Sequence, residues 1–547
     1  MNNGKGRKKH GSVKRSHSNT KRQQLTLSEL QSRFESQNSI SGEIESTDSS
    51  SSSSSGADGT VLTPSSTSTP DSVSNAQITP TSTATNANMS RTQMKRKQSS
   101  PMAPAFMVSA PGKVIVFGEH AVVHGKAAMA AAISLRSYLL VTTLSKSHRT
   151  VTLNFRDIGL DHTWDIDSLP WNVFKHPSKK KMYYDLVTEL DPDLVEAVQP
   201  HAAAVSTDKP DDIRKIHQGS AAQFLYLFLS LGSPESHAAI YTLRSTIPIS
   251  AGLGSSASVS VCLSAALLLQ IRTLAGPHPD QPPEEAEVQI ERINRWAFVG
   301  EMCIHGNPSG VDNTVSAGGK AVLFRRSDYS KPPTVTPLNK FPELPLLLVN
   351  TRQSRSTAVE VAKVGRLRET HPEVTEAMLD AIDKVTMSAS EMIKENDFEA
   401  DDDEDLEQFG ALFRINHGLL VSLGVSHPRL ERIRWTKLTG AGGGGCAITL
   451  IKPNTSQQTL QDLEEKLTSE NFEKFETTLG GDGVGVLYPA VLRNGVTDEE
   501  GGEEIDQQKF ENAVGMEGIE RLVGVHASGN ERREGWKFWK RAGGWTK

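Results

Sequence analysis

Cysteine is scarce: Cys262, Cys303 and Cys446 are the three among 547 residues. So few, and so scattered, they exclude a disulfide framework and a cysteine-built zinc site and fit a reducing compartment. Long apolar runs are missing as well. No stretch approaches the roughly 20 apolar residues of a membrane-spanning helix, and no signal-peptide core lies near the N-terminus, so a soluble cytoplasmic protein without a membrane span is expected. Aromatic residues make up 6% and apolar residues 36% of the chain, and much of the shortage falls in the first hundred positions. That arm is rich in Ser, Thr and Asn, with Ser49 to Ser55 unbroken. It cannot bury enough surface to offset chain entropy, and residues 1–104 are expected to be disordered.

Positive charge is short in the body of the chain and gathered in the arm. Residues 1–100 hold 13 Lys and Arg against 7 Asp and Glu, so a chain of net charge −6 has a body of net charge −12. An acidic body excludes nucleic acid as the main ligand, because phosphate contacts require a positive surface. Eight of the basic residues fall in the first 22 positions. They read as a solvated tail ahead of a nuclear signal, an anionic-surface contact or a presequence, since the apolar face of a transit helix is absent.

The length calls for two or three folded units plus tails, and the pattern along the chain supplies two. Phe106 to Ser109 and Val114 to Gly118 read as short strands around a Pro-Gly turn, followed by β segments at Arg136 to Leu144 and Val151 to Phe155. Helical patterns cover 213–231, 255–274 and 285–304, with a strand at 239–246 between them. These make an N-terminal unit at 105–340. A C-terminal unit at 341–490 opens on the apolar strand 346–349 and continues with helices near 355–368, 373–395, 405–423 and 456–469. The acids between Asp397 and Glu407 read as a solvated loop, because they lack the turn glycine of a calcium site. Residues 491–547 form a charged, glycine-rich tail of disordered composition, in which Trp536, Trp539 and Trp545 are compatible with docking on the body and with binding a partner.

Against this background four segments carry chemistry. Pro248-Ile-Ser-Ala-Gly-Leu-Gly-Ser-Ser-Ala257 is a small-residue loop running into an apolar helix, the form that presents bare N–H groups and a positive dipole end to phosphate. Ala110-Pro-Gly-Lys-Val-Ile-Val-Phe-Gly-Glu-His120 sets Lys113, Glu119 and His120 around a buried strand, where a charge needs a partner or a ligand. In Glu301-Met-Cys-Ile-His-Gly-Asn-Pro-Ser-Gly-Val-Asp312 one continuous helix would hold the two acids about 16 Å apart. The Gly306/Pro308/Gly310 break lets them converge instead. One carboxylate with a serine hydroxyl suits magnesium, and the other is free to act as a base. Lys437-Leu-Thr-Gly-Ala-Gly-Gly-Gly-Gly-Cys446 has more glycine than a turn needs, which fits a backbone that lies against something and, taken alone, also a flexible hinge. His305 and His124 read as turn and packing residues.

In their order along the chain these segments resemble the GHMP kinase superfamily, and the residues around Lys113 and Asp312 resemble its mevalonate kinase family, while the aromatic pattern near His162-Thr-Trp164 is similar to fungal members. The resemblance covers about Phe106 to Tyr488. It implies an α+β, two-domain fold with the active site in the cleft between the domains. It also implies ATP-dependent phosphorylation of mevalonate to 5-phosphomevalonate in isoprenoid and sterol synthesis. Ser250, Ala251, Gly252, Leu253, Gly254, Ser255 and Ser256 would wrap the ATP phosphates, with Ser245 near the nucleotide. Ser256 and Glu301 would hold Mg2+. Asp312 would take the proton of the mevalonate hydroxyl, and Lys113 would lie beside it and stabilise the transferring group. Glu119, His120 and Thr357 would contact substrate. A homodimer and competition by prenyl diphosphates at the ATP site are implied too. Another kinase of the superfamily, such as a phosphomevalonate kinase, and an inactive regulator are the rival readings. Ser250 departs from the usual glycine, and the chain between Leu430 and Lys437 is shorter than in the family by about two helical turns.

Overall fold

The computed structural model describes residues 104–541, apart from 146, 250, 279, 329–332, 354–355, 395–397, 401, 432–435, 453–454, 493–501 and 526–532. The N-terminal arm before Pro104, Ser250, the shortened segment at 432–435 and Trp545 therefore lie outside the described residues.

A long sheet organises the body. Strand β1 (Phe106–Phe117) pairs antiparallel with β2 (Ala127–Thr143), with register shifts between Pro111 and Lys113 and between Ile115 and Phe117. The Pro-Gly pair thus does not separate two short strands as its composition predicts. A bulge absorbs the extra residue and the ladder resumes beyond it. The first half of β2 is alanine-rich and has little strand propensity. Burial decides instead, because Ala130 and Ala132 form a small cluster with Val315 and Val322 in which bulkier side chains would push the neighbouring helix away.

Beyond β2 come β3 (Thr150–Phe155), β4 (Leu160–Asp165) and β5 (Ala239–Ser245), with β5 parallel to β3 and antiparallel to β2. Helices α1 (Asp211–Leu231), α2 (Ser255–Gln270), α3 (Pro283–His305) and α4 (Val311–Gly318) pack here around one large apolar core. Helix α2 is buried at nearly every position from Ala257 to Leu268, a wider contact than the single stripe its sequence offers. After β6 (Ala321–Arg325) and β7 (Thr334–Leu338), strand β8 (Leu344–Asn350) opens the C-terminal half. There α5 (Thr357–Thr370), α6 (Pro372–Lys394) and α7 (Asp403–Ser422) accompany β9 (Lys437–Leu438), β10 (Cys446–Leu450) and β11 (Glu473–Leu479). The architecture is α+β. Asp402 caps α7 by accepting from the N–H groups of Glu404 and Asp405, so part of the acidic cluster is a helix start.

The tail corrects the expectation of a disordered segment for its described residues. Short helices at Gln507–Glu511 and Gly515–Leu522 are followed by a strand, Lys537–Phe538, paired with β12 (Gly485–Leu487). Trp536 and Trp539 are buried against the body. All three cysteines are free, and among the described residues no helix is long and apolar enough to cross a membrane.

Candidate active site

The glycine loop, the lysine strand and the acid-bearing helix meet at one point. Gly252 and Gly254 take φ of 78° and 72°, and Gly254 caps α2, which Ser255 and Ser256 open. A Cβ at Gly254 would lie 2.9 Å from Cγ of Lys113 and 3.7 Å from Oδ2 of Asp312, so glycine is required for the loop to approach them. Within the loop, Ala251 and Leu253 are buried. Lys113 follows the β1 bulge, which turns its side chain toward α4, and its backbone N–H donates to the Leu253 carbonyl at 2.8 Å. Its Nζ stands 3.2 Å from Oδ1 of Asp312 in the first turn of α4. Ser316 Oγ donates to the Pro111 carbonyl at 2.7 Å and Ser258 Oγ to the Ala110 carbonyl at 2.7 Å, fixing α4 and α2 on the bulge.

Glu301 lies near the end of α3, on the other side of the loop. Its carboxylate accepts from Ser260 Oγ at 2.9 Å and from Ser256 Oγ at 3.2 Å, and Gln223 donates to Ser260 Oγ at 2.5 Å. Burial pushes its pKa up to about 7; the nearby Asp312 adds to the rise, while the two serines and Lys113 oppose it. His305 Nε2 lies 3.1 Å from Ser256 Oγ, so it borders this pair rather than packing at a remote turn. Among the described residues no three acids, histidines or cysteines cluster as a metal site. The pair Ser256 and Glu301 nevertheless fits Mg2+ by chemistry: two hard oxygen donors, with a buried carboxyl that a cation would ionise. Such a site is completed by phosphate oxygens and water.

Beside the loop opens a cavity of about 400 Å³ whose lining includes Phe155, Ile158, Leu243, Ser245, Ile249 and Ile304. Ser245 Oγ also accepts from the N–H of Ile247 at 3.1 Å. The cavity is mainly apolar, with a few polar groups at its edge, the character of a small-molecule pocket.

Glu119 is tied to the C-terminal half. Its side chain is inaccessible, with its two oxygens on Lys437 Nζ and on Asn416 Nδ2, so it anchors the third glycine segment. Burial holds the Lys437 pKa down against the pull of Glu119. His120 has φ of 61°, and its Nε2–H donates to the Ala441 carbonyl at 2.8 Å. Nδ1 is left buried without a hydrogen-bond partner, and burial lowers the ring's pKa. His124 is half-buried with a lowered pKa, chiefly from burial. Thr357 opens α5 and is exposed. The glycines at 442–445 do lie against something, namely the protein: a Cβ on Gly443 would come within 2.5 Å of Glu360 Oε1. Thr439 Oγ1 donates to the Ile115 carbonyl at 2.9 Å, bringing this segment to the strand of Lys113. Lys437, Asn416, Gln223 and Ser260 escaped sequence reading. Ser260 alone had a signal, lying one helical turn after Ser256 on the same face.

Residues 220–320, which include the loop, Glu301 and Asp312, match the family described as GHMP kinases N terminal domain. The mevalonate kinase of Aspergillus fumigatus is 77% identical over 458 residues, covering 82% of this chain and 85% of that one. For the mevalonate kinase of Gibberella zeae the identity is 69%, over 82% of this chain and 90% of that one. The human mevalonate kinase is 35% identical, over 70% of this chain and 96% of that one. With likeness this extensive, and with Lys113, Glu301 and Asp312 gathered about the glycine loop, the chain belongs to the mevalonate kinase family of GHMP kinases.

Proposed function

We propose that the chain transfers the terminal phosphoryl group of ATP to the hydroxyl of mevalonate, giving 5-phosphomevalonate for isoprenoid and sterol synthesis. The observation that carries the mechanism is the contact of Lys113 with Asp312 at 3.2 Å directly beneath Gly254. Phosphoryl transfer asks for positioning and charge neutralisation more than for covalent chemistry. The loop from Ala251 to Ser256 offers N–H donors and a helix N-terminus to the phosphates. The cavity beside Ser245 takes the base and sugar. Asp312 accepts the hydroxyl proton, and the Lys113 ammonium faces the negative charge that develops on the transferring oxygens. Ser256 and Glu301 would hold Mg2+, which would supply positive charge to offset that of the phosphates. Ser250 and Thr357 keep the nucleotide and substrate roles that the family implies, and His120 offers its unpartnered Nδ1 to substrate.

The same site supports competition by prenyl diphosphates, since the loop would take the diphosphate and the apolar cavity the isoprenyl chain. A cytoplasmic homodimer completes the proposal on family grounds. Purified protein with ATP, Mg2+ and mevalonate is expected to turn over, and Asp312→Asn to lose at least about a thousandfold in kcat while nucleotide binding persists. Turnover with phosphomevalonate in place of mevalonate would sink the substrate assignment. An unimpaired Asp312→Asn would sink the mechanism.

A further inference from the structure

The C-terminal tail takes no part in the chemistry above, yet it is built into the supports of the site. Trp539 is 1% exposed, and its Nε1–H donates to Oε1 of Gln289 in the second turn of α3 at 3.0 Å. Arg541 Nε stands 3.3 Å from Oε1 of Glu287 on the same helix. Its guanidinium also covers Gly318, the last residue of α4, where a Cβ would come within 3.0 Å of Cζ. Between them Trp539 N–H donates to the Val484 carbonyl at 3.4 Å, and Val484 N–H to the Ala317 carbonyl of α4 at 3.0 Å. This end of the tail is therefore wedged between the helix that carries Glu301 and the helix that carries Asp312.

Its other end is held through Arg244. That guanidinium donates to the carbonyls of Phe510 at 2.9 Å, Glu511 at 2.8 Å and Ala513 at 2.9 Å, at and just past the close of a tail helix. The same group donates from Nε to Oδ1 of Asp157 at 2.8 Å, and Asp157 Oδ2 accepts the N–H of Ser245 at 2.6 Å. Asp157 and Ser245 both line the cavity beside the loop.

We propose that the C-terminal tail is a positioning strap for phosphoryl transfer: Trp539 and Arg541 set α3 against α4, and Arg244 couples the tail to the nucleotide cavity. None of these residues touches the reacting atoms. Reacting groups displaced by about 1 Å lose up to about a hundredfold in rate, so an anchor at the far ends of both acid-bearing helices has leverage on kcat. The proposal rests on the function assigned above.

The test uses the full chain carrying Arg541→Ala, Trp539→Leu or Arg244→Lys, assayed with ATP, Mg2+ and mevalonate. Rates are expressed per folded molecule, with the folded fraction read from circular dichroism. Arg541→Ala and Trp539→Leu are expected to lower kcat about tenfold with little change in KM for ATP, and Arg244→Lys to raise that KM about fivefold at nearly constant kcat. A tail that merely stabilises the fold would lower the melting temperature alone. Kinetic constants within twofold of the unmodified protein for Arg541→Ala or for Arg244→Lys overturn the proposal, and Arg541→Ala carries the first arm if Trp539→Leu does not fold. Failure of the underlying function would show separately, as an unmodified chain inactive on mevalonate.

Discussion

At the scale of single residues, the site is built from ionisable groups held where water is scarce. Glu301 faces Asp312, Lys113 and His305, and burial moves its pKa from 4.5 to about 7. Between those two values the folded, metal-free protein keeps a proton that the unfolded chain has released. Stability must therefore fall as pH rises through that window and level off above it, by about 3 kcal/mol in all. Glu301→Gln is expected to abolish the fall, which urea unfolding in the presence of a chelator would measure. Parallel curves for the two proteins would refute it. The pair of Glu119 with Lys437 makes the opposite case, since each charge there depends on the other. Lys437→Met leaves a buried carboxylate with only Asn416, at an expected cost of about 3 to 5 kcal/mol, whereas adding Glu119→Gln should return most of it. A double variant no more stable than Lys437→Met would contradict this account.

Elements decide how far such groups can approach one another, and here the sequence was unevenly legible. The glycine loop before α2, the break between α3 and α4, and the convergence of Glu301 with Asp312 could all be read from residue types, because helix periodicity and turn residues act locally. Lys437 could not be read, because its partner is 318 residues away in sequence and only tertiary packing joins them. The alanine-rich half of β2 was invisible for a related reason: its conformation is set by the neighbours that bury it. The same physics makes Gly254 irreplaceable. Its φ of 72° disfavours any other residue by about 1 kcal/mol, and an added Cβ would press on Lys113 Cγ at 2.9 Å. Gly254→Ala is expected to lower kcat/KM about a hundredfold while the melting temperature drops by only a few degrees. Calorimetry beside steady-state kinetics would show it. Near-full activity would mean that Lys113 and the loop do not act as one unit.

Taken as a whole, the molecule joins its halves through β2 and through a shared core. Strand β2 pairs with β1, β5 and β6 and touches β11 at Ile133 and Leu479. The second apolar core draws Val114, Val116, Met129 and Ile133 from the N-terminal half and Leu346, Phe409, Phe413 and Ile448 from the C-terminal half. Sequence composition places a boundary near residue 340, but this core runs across it. A fragment ending there would expose one whole side of β1 and β2, including the strand face behind Lys113. Residues 105–340 alone are therefore expected to aggregate or to remain partly folded, binding a hydrophobic dye and showing no cooperative melting, while the full chain melts cooperatively. The site makes the same demand. Lys113 sits on a strand that Thr439 from the C-terminal half holds two residues further on, its Oγ1 donating to the Ile115 carbonyl at 2.9 Å. If the fragment folded cooperatively and bound ATP as the full chain does, the shared core would not be what positions Lys113, and the β1 bulge with α2 and α4 would be enough.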